Sequence, residues 1–305
     1  MPDRPSWGLA PPSPVALLVA GALTAGLAAA AAVIWMTGSR IEIAGFLRFF
    51  LLGLALLGLS LWCRRRLPDR RLAHAAAIVG AATWALILCG LVSNVGLRLG
   101  APLADERFAR ADALVGINAG TVVQSIAAQP LVTSILAAAY NSSGIAVVAV
   151  IFLAIARNHI GAAWELVATA ILSMQVVAIA SLGVPAWGVM RHFGLAGLQG
   201  AGLPAGAGVY QWPAFEHFRH GGDQLVRLAD MGGVVAFPSF HTVLALMLTQ
   251  ALAGTRMRWL GPPWSAVIIL AAIPMGGHYG VDLAAGFLVW LGCAVLARRI
   301  SSPSA

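Results

Sequence analysis

Two short segments in the last third of the chain hold residues that can do chemistry. Phe237-Pro238-Ser239-Phe240-His241-Thr242 opens one apolar stretch, and Gly276-Gly277-His278-Tyr279-Gly280-Val281-Asp282 opens another. His278 and Asp282 are four apart, so on a helix they share one face. An aspartate that accepts the Nδ1 proton of an imidazole fixes its tautomer, turns Nε2 outward and stabilises the imidazolium formed in reaction. His241 falls in the first turn of its own helix, where free N–H groups and the positive dipole end favour an anion. Pro238 and Ser239 suit such a helix start. Together these parts describe a pocket for a phosphate, with a nucleophilic imidazole on one side and a proton donor on the other. Two histidines and a carboxylate are also the donor set of a metal facial triad. Against that reading, neither motif holds a further carboxylate or cysteine, and a phosphohistidine route needs neither metal nor other cofactor.

The elements that must position these residues are membrane helices. The 305 residues are 60% hydrophobic and 10% charged, and the mean hydropathy is +0.86. A soluble domain carries roughly 25% charged residues, so a water-soluble enzyme and a disordered chain are both excluded. Cys63, Cys89 and Cys293 lie in apolar runs and read as small buried hydrophobes, not as a disulfide scaffold. The net charge of +8 comes from basic residues placed between apolar stretches, which is orientation in a membrane and not a grip on nucleic acid. All 19 basic residues are arginine, so any anion must be held by a planar guanidinium fork.

A bilayer core needs ~20 mostly apolar residues per helix. Eight runs qualify, at about 15–36, 44–62, 73–97, 131–156, 161–182, 239–254, 263–277 and 281–297. The expected fold is therefore all-α, a polytopic integral membrane helix bundle of about eight transmembrane helices. The cluster Arg64, Arg65, Arg66, Arg70, Arg71 faces the cytoplasm by the positive-inside rule. Span parity then puts Arg4, Arg157, Arg256, Arg258, Arg298 and Arg299 on the same side. His241 and His278 both arrive at the opposite face, away from the cytoplasm, and the expected location is the bacterial inner membrane.

Two segments do not span. Residues 105–129 mix charge with apolar positions and read equally well as a helix lying on the membrane surface or as an ordinary loop. Residues 183–238 form the longest polar connection, of a length that is usually functional or disordered. Glu165 lies just past the start of its span and is read as snorkelling to the interface, and Asn94 as a helix-packing contact. His74, His159, His192, His217 and His220 read as hydrogen-bonded surface residues. Trp7, Trp35, Trp62, Trp187, Trp212, Trp259 and Trp264 read as an aromatic belt.

Phe-Pro-Ser-Phe-His followed 37 residues later by Gly-His-Tyr-x-x-Asp resembles the type-2 phosphatidic acid phosphatase superfamily, in particular its inositol phosphorylceramide synthase-like branch (the aureobasidin-resistance, inositolphosphotransferase-like group). Arg110-Ala111-Asp112-Ala113-Leu114-Val115-Gly116, Tyr140-Asn141-Ser142-Ser143, Val184-Pro185-Ala186-Trp187-Gly188 and Phe215-Glu216-His217-Phe218-Arg219 are similar to segments of that branch in the same order. The resemblance covers about residues 73–297. It implies a six-helix phosphatase-type core, with residues 1–72 as an added N-terminal helix pair and 73–299 as the catalytic membrane domain. It also implies that His278 attacks phosphorus, that Asp282 orients it and that His241 protonates the departing oxygen. Arg219, with Arg227 and Ser239, would hold the phosphate. The sequence departs from the wider superfamily at three places. Phe240 stands where glycine is usual, Ala271 and Ala272 replace a Ser-Arg pair, and the lysine-containing motif is absent.

The function expected is a membrane enzyme that cleaves a lipid phosphoester at the outer face through a phosphohistidine. Its partners would be a lipid phosphate substrate and, if transfer replaces hydrolysis as in the synthase branch, a lipid alcohol acceptor. Phe240 favours transfer, because a water-poor pocket protects the intermediate. A transporter is the alternative from another class, which eight spans and Glu165 permit. It requires polar residues along several mid-span positions, and these are scarce.

Overall fold

The computed structural model describes residues 13–301, so Arg4 and Trp7 lie outside the described residues. All eight apolar runs are helices. The chain opens with α1 (Pro14–Thr37), α2 (Ile43–Arg66) and α3 (Arg71–Gly96). Ser13 caps α1 by accepting from the Ala16 N–H, Pro14 occupies its first turn, and Gly38 ends it at φ 64°, which is the proline-in, glycine-out asymmetry of helix ends. The segment read as one surface helix or a loop is two short helices, α4 (Asp105–Leu114) and α5 (Ala119–Ala127). Gly116 at φ 76° breaks the first, and Asn118 caps the second through the Thr121 N–H. Then follow α6 (Pro130–Ala156), α7 (Ile160–Ser181), the short α8 (Val189–His192) and α9 (Trp212–His220), and finally α10 (Phe240–Leu252), α11 (Gly261–Gly276) and α12 (Gly280–Ser301).

Six of these helices, α1, α2, α3, α6, α7 and α12, are long and apolar enough to cross a membrane. α10 and α11 have 13 and 16 residues, below the ~20 that a full crossing needs. Their ends are set by local chemistry. Ser239 caps α10 and Gly277, at φ 74°, closes α11, so His241 and His278 stand at helix ends instead of continuing into apolar surroundings. The three free cysteines are buried or half-buried within the helices.

The long connection 183–238 is packed. Trp187, Val189, Met190, Phe215 and Phe218 are buried, and Leu225–Val226 (β2) pairs in parallel with Arg40–Ile41 (β1), fastening the α1–α2 turn to this cap. Trp187 and Trp212 therefore belong to the cap interior, where they meet edge to face at 6.5 Å. Trp35, Trp62, Trp259 and Trp264 are exposed, as a belt requires. Asn94 is more than a helix-packing contact. It is fully buried, its Nδ2 donates to the Gly232 carbonyl at 2.9 Å, and its Oδ1 accepts from the Gly232 N–H at 3.1 Å. α3 thereby holds the strand of chain that leads into His241. At the opposite end of the bundle, Arg71 donates to the Ala156 carbonyl and the Trp164 indole donates to His74. Glu165 accepts from Gln250 at 3.1 Å, so it is tied to α10 and not extended toward an interface.

α12 crosses the start of α10 at Gly286, where a Cβ would overlap the Ser239 carbonyl oxygen, a backbone atom, and lie 2.9 Å from the Thr242 Cβ. Gly292, two turns on, has nothing within 4 Å of its Cβ position. Overpacking a tight contact costs about 1–3 kcal/mol, whereas Gly→Ala at an open helical site gains roughly 0.5–1 kcal/mol. Thermal unfolding of the detergent-purified protein should therefore show Gly286→Ala less stable than wild type and Gly292→Ala equal to it or more stable.

Candidate active site

The first motif is built on the cap of α10. Ser239 is fully buried, its Oγ accepts from the Thr242 N–H at 3.4 Å, and its own N–H donates to the Asp282 carbonyl at 3.0 Å. The second motif is the turn between α11 and α12. A Cβ on Gly276 would stand 2.6 Å from the His278 ring and 2.9 Å from the Tyr140 hydroxyl, so only glycine leaves room for both. His278 is 2% exposed and Asp282 is fully buried.

These elements bring His241, His278, Asp282 and Ser239 together. The two imidazoles lie 6.3 Å apart, centroid to centroid, at 60°, close enough for both to reach one tetrahedral oxyanion. His278 Nδ1 is 2.7 Å from the Ala236 carbonyl and 3.4 Å from Asp282 Oδ2. The expected aspartate is thus the more distant of two acceptors. A carbonyl oxygen only accepts, so Nδ1 carries the proton and the Nε2 lone pair is free. Asp282 Oδ2 takes its stronger hydrogen bond from the Tyr279 N–H at 2.8 Å. Its Oδ1 is buried and finds no partner among the described residues.

The arginines are placed differently. Arg227 pairs with Asp223 at 2.8 Å and Asp230 at 3.5 Å. The Leu225 N–H and the Arg227 guanidinium hold the Asp223 carboxyl below its usual value, so this pair persists into mildly acidic solution. Arg219, on α9, has a buried Nη1 without a hydrogen-bond partner among the described residues. An unsatisfied guanidinium nitrogen of that kind suits a phosphate oxygen.

Tyr140 and Tyr279 stand in the motif segments without a role of their own, and Tyr210 lies outside them. Tyr140, on α6, stacks on His241 with ring centroids 3.9 Å apart at 18°, and its hydroxyl lies 3.1 Å from that of Tyr210. Burial pushes the Tyr210 phenol up, against the opposing effect of that hydrogen bond. Tyr279 is fully buried and its hydroxyl donates to Asp105 at 2.9 Å. The chain has only three tyrosines, and all three lie here. Their scarcity was the signal available. An open depression of about 440 Å³ lies against α4 and the start of α5, with Glu106, Arg110, Asp112, Asn118 and His192 in its wall.

An aromatic face so close and so nearly parallel to an imidazole shields the ring protons. In NMR spectra of histidine-labelled protein, the His241 ring protons should be shifted upfield. Tyr140→Phe should keep that shift and Tyr140→Leu should abolish it.

A protein-family model described as the PAP2 superfamily matches residues 106–296, well over half of the chain. The matched segment contains His241, His278, Asp282, Ser239, Arg219 and Arg227 and leaves out α1 to α3. Neither the curated proteins nor the solved structures contain a match. A buried and a half-buried imidazole at the ends of apolar helices, within a bundle whose long helices span a bilayer, agree with that match, and the chain belongs to the PAP2 superfamily as an integral membrane protein of the phosphatase type.

Proposed function

We propose that the protein cleaves a lipid phosphoester through a phosphohistidine at His278, on the membrane face away from the cytoplasm. The observation that carries this reading is the His278 environment. Two acceptors on Nδ1 leave Nε2 as a lone pair within reach of the same oxyanion as His241. His278 Nε2 attacks phosphorus and the bond from phosphorus to the lipid oxygen breaks. His241, as imidazolium, gives its proton to that oxygen. Water then attacks the phosphohistidine while neutral His241 takes its proton. The P–N bond breaks, phosphate leaves and both imidazoles are restored. Phosphoryl transfer of this kind needs positioning and charge neutralisation above all.

Arg219 is the preferred anion grip because its buried Nη1 lacks a partner among the described residues. Arg227 would have to exchange Asp223 and Asp230 for phosphate, and Ser239 retains a hydroxyl proton to donate. The outer-face assignment rests on the arginine-rich turns at the other end of the bundle. The first two helices, which precede the matched segment, form an added pair around the catalytic bundle.

The second reading is transfer of a phospho-headgroup to a lipid alcohol, as in the inositol phosphorylceramide synthase-like branch. The near-complete burial of His278 and the apolar Phe240 beside His241 favour it, since both keep water from the intermediate.

Purified protein given a panel of lipid phosphates should release phosphate, or form a new lipid when an alcohol is supplied, as read by mass spectrometry. His278→Ala should have no activity on any of them. His241→Ala should lose roughly 10²–10⁴-fold on alkyl esters and recover on a nitrophenyl phosphoester, whose leaving group needs no proton. Full activity in His278→Ala would overturn the assignment.

A further inference from the structure

We infer that Asp112 and Asp105 are positioning residues for His278, acting through the first turn of α12 and through Tyr279. This deepens the proposed function and rests on its reading of His278 as the attacking group. Asp112 is 2% exposed. Its Oδ2 accepts from the Gly280 N–H at 2.7 Å and its Oδ1 from the Val281 N–H at 2.8 Å. The first two N–H groups of α12 are thus held by a carboxylate from a helix 168 residues earlier in the chain. Asp105, about two turns earlier on the same face of α4, accepts from the Tyr279 hydroxyl at 2.9 Å and from the Trp187 and Gly188 N–H groups at 3.0 and 2.9 Å. The next residue, Val189, donates its N–H to the Gly277 carbonyl at 2.9 Å.

Residues 277, 279, 280 and 281 are therefore each fixed by a group from outside the two helices that flank them. His278 is the one residue of the run whose side chain faces the His241 ring. Both carboxylates make only backbone and phenol contacts, and neither touches an imidazole of the pair. Removing their bonds leaves the chemistry of His278 intact and releases the backbone that aims it. Two half-buried N–H groups at a helix start cannot be left without an acceptor at small cost, so the turn must rearrange when Asp112 loses a carboxylate oxygen.

The test uses the full-length protein in detergent with ¹⁵N-labelled histidine. In wild type the His278 signal, assigned by its loss in His278→Gln, should show one tautomer with the proton on Nδ1. Asp112→Asn places an amide N–H₂ against a backbone N–H, and Tyr279→Phe removes one hydroxyl at constant shape. Each should give mixed tautomers at His278 and a kcat at least tenfold lower, with KM for a lipid phosphate within about twofold. Tyr279→Phe decides the matter alone if Asp112→Asn does not fold. A single unchanged Nδ1–H tautomer in folded variants overturns the inference. Absence of turnover in wild type would instead count against the proposed function, and the tautomer measurement would still decide the role of the two aspartates.

Discussion

A turn rich in polar groups, buried between apolar helices, has to find a partner for almost every N–H and C=O it contains. Residues 276–282 are such a turn. Their partners come from three separate parts of the chain, namely Ala236 and Ser239, Val189, and α4 with Asp105 and Asp112. In an apolar medium an unpaired amide costs several kcal/mol, so no helix of the bundle can slide along this turn without breaking bonds that water is not present to replace. The rigidity that chemistry at His278 requires follows from burial itself.

The same burial limits what can pack there. Where α12 meets α10 and where the cap meets the α11–α12 turn, backbone lies directly on backbone. A Cβ on Gly188, at φ 93°, would come 2.5 Å from the Gly277 carbonyl oxygen. Small residues let membrane helices approach closely. Here the close approach does more than pack. It brings Ser239 within hydrogen-bonding distance of the Asp282 carbonyl and so fixes one motif to the other.

The helices and the histidine pair were legible in the sequence because both depend on short-range pattern. Apolar runs of membrane length need no partner to be recognised, and the four-residue spacing of His278 and Asp282 is local. The residues that support the site were not legible for the opposite reason. Asp112 reads as one charge among several on an amphipathic segment, and nothing near it announces that its partners are the Gly280 and Val281 amides. Asn94 reads as a polar residue in a helix, yet its partner lies 138 residues away. A backbone carbonyl such as that of Ala236 leaves no trace in side-chain type at all. Arg227 shows the converse limit. An arginine near a motif looks like an anion grip until neighbouring carboxylates, Asp223 and Asp230, are seen to occupy it.

The division of labour at His278 Nδ1 bears on how the two motifs stay in register. The nearer acceptor is a main-chain atom of the segment that carries His241, and the Ser239 N–H of that segment returns a bond to the Asp282 carbonyl. Two hydrogen bonds of opposite sense thus join residues 236–241 to residues 278–282 into one body. The intervening α10, its turn and α11 only have to bring the chain back to its starting level. That accounts for helices of 13 and 16 residues serving where longer ones are the rule: the separation of the imidazoles is set by bonds across the loop ends and does not depend on the length of the helices between them.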